Sequence, residues 1–469
     1  MYIEQLYTGC LSEAAYYIES DGEAAIIDPL RDIEEYTSLA KERNAVIKYI
    51  FETHFHADFV SGHIDLSKAS GAPIIYGPGT KTGFPVYIAK DNEAFALGKL
   101  TIQVLHTPGH TLESCCYLLK DESKKDYAVF TGDTLFVGDV GRPDLSLKGE
   151  VTTNDLAGIM YDSLQQKILP LADDVLVYPA HGAGSSCGKN LGPQTSSTIG
   201  NEKQTNYALQ TGSKEEFIKA ITEGLTAPPQ YFPINAKINQ EGYESLDTIL
   251  ETALKPLPVA QVKALKKNDD IILLDTRPAA LFMEGFIPDS IFIGLDGRYA
   301  EWGGSLLPFD KTLLIIAEPG REKESVVRLT RVGFSKFAGY LEGGFEAWKA
   351  AGESTDMVIS IEPDELAMDM PHDDKLIVLD VRREAEFADG HVKGAVNIPL
   401  QTLTDPGSMA NIDEEQNLYV HCASGYRSVV AASLFKRQGI HNLYNVLGGW
   451  NKIKLEKKIK TEKESSALN

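Results

Sequence analysis

Short apolar runs separated by Gly- and Pro-rich turns dominate residues 1–200. The runs at 24–27, 46–51, 100–105, 127–130 and 175–178 have strand length and strand composition, the pattern of buried strands. Polar and acidic residues follow several of them directly, and loops at strand ends are where sites tend to be built. Residues 200–250 carry a helical but irregular pattern, interrupted by Pro228, Pro229 and Pro233, and Pro256 and Pro258 predict a linker. The remainder repeats. Leu274-Asp275-Thr276-Arg277 and Leu379-Asp380-Val381-Arg382 are offset by 105 positions, as are Gly285 and Gly390, and Gly343-Gly344-Phe345 and Gly448-Gly449-Trp450. One constant offset from end to end means two copies of one unit. Each copy alternates strand and helix patterns, which predicts a mostly parallel α/β sheet. Three domains are expected, at 1–250, 256–354 and 358–457, with the Lys- and Glu-rich tail beyond Trp450 as a solvated helix end.

Composition narrows the function classes. The 469 residues are 43% hydrophobic and 24% charged, which is globular rather than disordered. Lys+Arg number 45 against Asp+Glu 67, a net charge of -22, so no nucleic acid and no anionic membrane surface is expected as partner. Five cysteines, at 10, 115, 116, 187 and 422, are too few for a disulfide framework and fit a reducing compartment. The first ten residues lack a basic and an apolar segment, and no apolar run reaches the ~18 residues of a membrane span. A cytoplasmic protein is expected.

The second copy carries a thiol loop. A strand-like run at 418–421 leads into Cys422-Ala423-Ser424-Gly425-Tyr426-Arg427-Ser428, and a helical pattern follows at 429–435. Cys422 therefore opens a tight loop at a helix start, where backbone N–H groups and the helix dipole favour an anion. With Arg427 nearby, a reactive thiolate is expected. Ala423, Ser424, Gly425 and Tyr426 form the substrate-binding cradle. In the first copy Ala317 and Glu322 stand at the positions of Cys422 and Arg427, while Asp275, Arg277 and the Gly-Gly turn are kept. What a thiol-free copy keeps is structural, so Asp380 and Arg382 are assigned to the fold and Cys422 and Arg427 to catalysis.

Both units resemble rhodanese domains: the Asp-x-Arg strand end, Gly390-His391-Val392, Gly394-Ala395, Asn397-Ile398-Pro399, the Cys loop and Gly448-Gly449-Trp450. The resemblance implies sulfur transfer through a persulfide on Cys422 and a silent first copy. Related phosphatases use Cys-x5-Arg. The shorter Cys-x4-Arg loop here suits a persulfide rather than a tetrahedral phosphate.

A metal site is written into the N-terminal region. Thr53-His54-Phe55-His56-Ala57-Asp58-Phe59 follows an apolar strand; Thr107-Pro108-Gly109-His110-Thr111, Thr131-Gly132-Asp133-Thr134 and Pro179-Ala180-His181-Gly182 come later. Imidazoles and carboxylates placed just after strands can converge on a first-row metal ion. His63, His106, His372, His391, His421 and His441 lack that context and are expected to be structural. Cys115 and Cys116 are adjacent on a strand, so their side chains face opposite ways and pack. Cys187 is read as a structural thiol.

The His and Asp segments resemble the metallo-β-lactamase superfamily over roughly residues 1–235. That implies an αββα four-layer sandwich, followed here by two rhodanese-like α/β parallel-sheet domains. The superfamily motif His-x-His-x-Asp-His ends here in Phe59, which cannot ligate and disfavours a two-metal hydrolase. Gly9-Cys10-Leu11-Ser12, Gly138-Asp139-Val140-Gly141-Arg142-Pro143-Asp144 and His181-Gly182-Ala183-Gly184-Ser185-Ser186-Cys187-Gly188 are similar to persulfide dioxygenases, as is the fusion to rhodanese units. The resemblance implies one Fe(II) per chain held by His54, His110 and Asp133, with His56, Asp58 and His181 orienting ligands and ordering water. It also implies oxidation of a low-molecular-weight persulfide by O2 and water to sulfite and thiol, and a homo-oligomer. Sulfite is an acceptor for the Cys422 persulfide, giving thiosulfate; run in the other direction, the rhodanese unit regenerates persulfide for the iron. Arg142 is expected to bind the anionic part of substrate or product. A zinc-dependent glyoxalase II-like thioester hydrolase and a non-catalytic sulfur carrier remain the alternatives.

Overall fold

The computed structural model describes residues 1–145, 151–410, 412–413 and 415–464. The chain divides into two compact units, Met1–Thr248 with Val327–Ser335, and Ile249–Val326 with Lys336–Asn469. No helix among the described residues is long and apolar enough to cross a membrane.

The first unit is built on two six-stranded sheets. All five expected strands form, as Glu23–Ile27, Val46–Phe51, Leu100–His106, Asp126–Gly132 and Leu176–Pro179. Alternation along each strand sorts side chains into three layers of core. Ala14, Tyr16, Ile18, Ile27 and Phe51 of one sheet meet Ile102, Val104, Tyr117 and Phe130 of the other. The intervening residues Ala15, Tyr17, Ala24 and Ile26 pack outward on Tyr36, Ala40 and Leu66, which lie on the helices Glu34–Glu42 and His63–Ser70. On the far side, Leu105, Leu118 and Val129 meet Met160, Phe217 and Ile221 of the helices Thr153–Ser163 and Lys214–Thr222. Helix, sheet, sheet and helix follow in order, the four-layer sandwich. Cys115 enters the central core and Cys116 the outer one, as adjacent strand residues must.

The second unit holds two five-stranded sheets with parallel pairing throughout. Both follow one strand order, in which Ile271–Asp275, Thr312–Ile316 and Phe337–Leu341 of the first match Leu376–Asp380, Asn417–His421 and Leu443–Val446 of the second. The Asp-x-Arg pairs do the same work twice. Arg277 donates to Asp275 and to the Gly285 carbonyl, and Arg382 donates to Asp380 and to the Gly390 carbonyl. These pairs are buried, so removing either partner would strand a charge at a cost of about 3–5 kcal/mol.

Two expectations fail. Pro256 and Leu257 are not linker but an edge strand paired with Tyr340 and Leu341; an edge position tolerates proline because one side of the strand needs no donor. The tail does not continue as a helix either. After Gly449–Ile453 it returns as Thr461–Glu462, antiparallel to His391–Val392.

Candidate metal centre and thiol loop

Four loops at strand ends bring His54, His56, Asp58, His110, Asp133 and His181 together, each 4% exposed or less. Their orientation is set by oxygen atoms behind them. Thr53 donates its hydroxyl to Asp28 Oδ2 at 2.8 Å and so accepts from His54 Nδ1 at 2.9 Å. His110 Nδ1 donates to the Arg142 carbonyl at 2.8 Å, and His181 Nδ1 to the Ser12 carbonyl at 3.1 Å. With the proton held on Nδ1, each ring presents the Nε2 lone pair forward. His56 is turned the other way: Nε2 lies 3.1 Å from Asp28 Oδ1 and 3.6 Å from Glu52 Oε2, which leaves Nδ1 forward.

Two donor sets result. His54, His110 and Asp133 offer one ligand atom each within 4.8 Å of one another, and so do His56, Asp58 and His181. Asp133 stands between them, with Oδ2 3.4 Å from His110 Nε2 and 3.9 Å from His54 Nε2, and Oδ1 3.4 Å from His181 Nε2. His54 Nε2, His56 Nδ1, His181 Nε2 and both oxygens of Asp58 and of Asp133 are buried without a hydrogen-bond partner. Buried polar atoms of a folded chain are ordinarily satisfied. Converging orphans of nitrogen and oxygen type fit a first-row metal ion. Burial, reinforced by the neighbouring imidazoles, holds His54 neutral and well below its ordinary pKa, the form a metal needs. Burial also opposes charge on His56, but the carboxylates of Asp28, Glu52 and Asp58 outweigh it and raise that imidazole to about 10.

His56, Asp58 and His181 do not hydrogen-bond His54 or His110 among the described residues. The orienting contacts expected of them come instead from Thr53, the Arg142 carbonyl and the Ser12 carbonyl. Phe59 is fully buried and its ring packs on His56, centroids 4.3 Å apart. Arg142 departs from expectation. Its guanidinium donates to both oxygens of Asp144 at 2.6 and 2.7 Å, to the Ser186 carbonyl at 3.3 Å and to the Thr226 carbonyl at 2.5 Å. It ties loops together and steadies His110 through its own carbonyl; its charge is already spent on Asp144. Cys187 is buried and offers its sulfur within 4.8 Å of donor atoms of Asp133 and His181. Burial pushes this thiol well above its usual range.

Sequence reasoning missed the layer beneath the site. Glu52 accepts from the Ser61 hydroxyl, and its Oε1 lies 3.2 Å from His63 Nδ1. His63, expected to be merely structural, joins this buried network. Glu52 precedes the His motif directly and Asp28 follows the strand Glu23–Ile27, both of which were readable signals; Glu13, buried with both oxygens unpartnered, had none.

In the second copy of the repeat, Gly425 N donates to Cys422 Sγ at 3.1 Å, and the helix Tyr426–Arg437 starts immediately after. Gly425 has φ +116°, a conformation that favours glycine. Arg427 does not hydrogen-bond the thiol; it makes a two-pronged pair with Glu386 at 2.7 and 2.8 Å. Tyr426 donates to the Gly294 carbonyl of the first copy at 3.1 Å. Ser424 is exposed at the loop tip, with Ala423 and Gly425 half-buried beside it.

Comparison with known proteins extends the site reading to the family. A model of the metallo-beta-lactamase superfamily matches residues 8–181, and a rhodanese-like domain model matches residues 258–351 and 362–456. Persulfide dioxygenase ETHE1, mitochondrial, of Mus musculus is 30% identical over 220 residues, covering 46% of this chain and 78% of that protein. Probable hydroxyacylglutathione hydrolase glo2 of Schizosaccharomyces pombe is 34% identical over 182 residues, 38% of this chain and 66% of the relative's length. The crystal structure of a metallo-beta-lactamase from Staphylococcus aureus subsp. aureus COL aligns with a TM-score of 0.64 at 33% identity, covering 73% of this chain and 98% of that one. The chain belongs to the metallo-beta-lactamase superfamily, with a domain of the persulfide dioxygenase type followed by two rhodanese-like domains.

Proposed function

We propose that the protein oxidises a low-molecular-weight persulfide with O2 and water to sulfite and the free thiol, at a single Fe(II) held by His54, His110 and Asp133, and transfers sulfur through a persulfide on Cys422. The observation that carries this reading is the convergence of one ligand atom each from His54, His110 and Asp133 within 4.8 Å of one another, with His54 Nε2 and both Asp133 oxygens buried and unpartnered. Two His and one carboxylate leave coordination positions open. Bound there, ferrous iron would supply the redox exchange that a closed-shell persulfide and O2 lack, and zinc would not. The chain's own part is positional. Thr53 and the Arg142 carbonyl hold the two imidazoles, the surrounding core excludes bulk water, and Gly141 lets the backbone approach both His110 and Asp133 closely.

At the thiol loop, sulfite attacks the outer sulfur of the Cys422 persulfide. The S–S bond breaks, thiosulfate leaves, and Cys422 returns as thiolate, with the Gly425 N–H already directed at its sulfur. The five cysteines are all free, which supports action in a reducing compartment such as the cytoplasm.

The test is anaerobic metal analysis followed by O2 uptake with a panel of small persulfides. Iron content with persulfide-dependent uptake supports the reading. Zinc content with thioester turnover and no uptake overturns it in favour of hydrolysis, the reading for which the second donor set His56, Asp58 and His181 speaks. Neither uptake nor hydrolysis, with Cys422 still loading sulfur, leaves a carrier.

A further inference from the structure

Contacts around Cys422 extend beyond its own loop. The thiol donates to Ser428 Oγ at 3.7 Å. Ser428 is fully buried, and its hydroxyl donates to Asn445 Oδ1 at 2.7 Å, with the Gly425 carbonyl at 3.1 Å as the longer alternative. Asn445, 1% exposed, lies on the strand Leu443–Val446. Its Nδ2 is 3.4 Å from Met283 Sδ and 3.4 Å from Ser360 Oγ, while Ser360 itself donates to Met283 Sδ at 3.2 Å. A thioether has no hydrogen to give, and Ser360 has spent its own. Both neighbours can only accept, so the amide is fixed with nitrogen toward Met283 and oxygen toward Ser428. Met283 lies on the helix Ala279–Glu284 of the copy that has no thiol.

This chain of partners is peculiar to the thiol-bearing copy. At the 105-residue offset Ser428 and Asn445 correspond to Lys323 and Tyr340, just as Cys422 corresponds to Ala317. Asp380 and Arg382, by contrast, are matched in both copies.

We infer that Asn445, oriented by Met283 of the Cys-less copy, is a positioning residue that sets the hydroxyl proton of Ser428 and through it the ionisation of Cys422. Ser428 has one hydrogen. While Asn445 accepts it, Ser428 shows the sulfur a lone pair, which suits S–H and opposes a thiolate. The Gly425 N–H already points at the sulfur; for Ser428 to add a second hydrogen bond to the anion, its hydroxyl must turn from Asn445 to sulfur as the thiol proton passes to solvent. The amide therefore keeps the Ser428 hydroxyl proton away from the sulfur and gives the Cys-less copy a part in the chemistry of the other. The inference rests on the reading of Cys422 as the sulfur-carrying group, but its test does not measure sulfur transfer.

The experiment follows alkylation of Cys422 by iodoacetamide in the full chain across a pH series, read by peptide mass spectrometry. Asn445→Leu frees Ser428 to donate to sulfur and is expected to lower the midpoint by about half a pH unit or more. Met283→Leu lets the amide turn over and is expected to shift it in the same direction by less. Asn445→Asp keeps the acceptor, adds charge and is expected to raise it. In a Ser428→Ala background the Asn445→Leu shift should vanish, since the two act in series. An unmoved midpoint in Asn445→Leu, or an equal shift with and without Ser428, overturns the inference. If Asn445→Leu does not fold, the Met283→Leu and Asn445→Asp pair decides it by the same criterion. Failure of the wild-type chain to take sulfur from thiosulfate at Cys422 would instead refute the transferase reading and leave the pH profile to stand on its own.

Discussion

Phe59 contributes neither lone pair nor charge to the donor set, because a benzyl side chain has none to give; its ring is buried against His56 at a tilt of 33°. Asp58, His56 and His181 nevertheless keep unpartnered atoms on that side of Asp133. Phe59→His adds an imidazole where the ring now sits. Tightly bound metal is expected to rise from the proposed one ion per chain toward two, measured by plasma mass spectrometry on anaerobically prepared protein; unchanged content would show that the pocket does not open to a second ion. Arg427 makes a prediction of a different kind. Its guanidinium bonds to Glu386 and holds that carboxyl below its ordinary range. A depressed folded-state pKa contributes stability above the unfolded pKa and loses it as pH falls through the folded value. The difference in melting temperature between wild type and Arg427→Met should therefore be largest at neutral pH and shrink on acidification below about 4.3, the ordinary Glu value. A difference that does not change with pH would mean that Arg427 stabilises by packing alone.

Loops at strand ends carry every donor, so the tolerances of those loops matter as much as the ligands. A Cβ on Gly141 would sit 2.0 Å from the Asp133 carbonyl oxygen and 2.9 Å from His110 Nδ1. Backbone cannot yield as a flexible side chain can. Gly141→Ala is expected to displace two of the three proposed metal ligands and weaken metal binding by roughly 10- to 100-fold, the scale of lost ligand support. Competition with a chelator would measure this, and retention of full affinity would show that the loop yields without moving the ligands. Strand alternation is the element-scale rule that held most firmly: Cys115 and Cys116 enter separate cores. It failed at Pro256, where two residues are too few to show a period and the proline pattern of a linker is also that of an edge strand.

At the scale of the molecule, the two proposed chemistries draw on separate residues of one chain. Cys422→Ser should abolish sulfur transfer and leave O2 uptake with a free small persulfide within about twofold of wild type, as expected when the mutated residue supplies none of the metal donors. Loss of uptake as well would show that the activities are not separable. Metal removal is a second test. The orphaned donors all lie in the first unit, so saturating metal at a thousandfold over its Kd should stabilise that unit by about 4 kcal/mol. Calorimetry of metal-loaded and chelated protein should show one transition raised and the transition of the rhodanese-like domains unmoved.

The sequence by itself determined the α/β class, the two-copy repeat, the strands of the first unit and which side chains could bind metal or carry sulfur. These depend on period, offset and residue type, which are local properties of the chain. His54, His56, Asp58, His110, Asp133, His181 and Cys422 could be named as candidates because each follows a strand within a distinctive short run, whereas the grouping of His54, His110 and Asp133 as one ligand set came from the family resemblance. Only the tertiary structure decided that Arg142 is spent on Asp144, that Arg427 pairs with Glu386, that His63 and Glu52 underlie the metal centre, and that Asn445 backs the thiol through Ser428. Each of these is a contact between residues brought together by the fold. A charged or polar side chain takes whichever partner packing supplies, and no pattern along the chain records that choice.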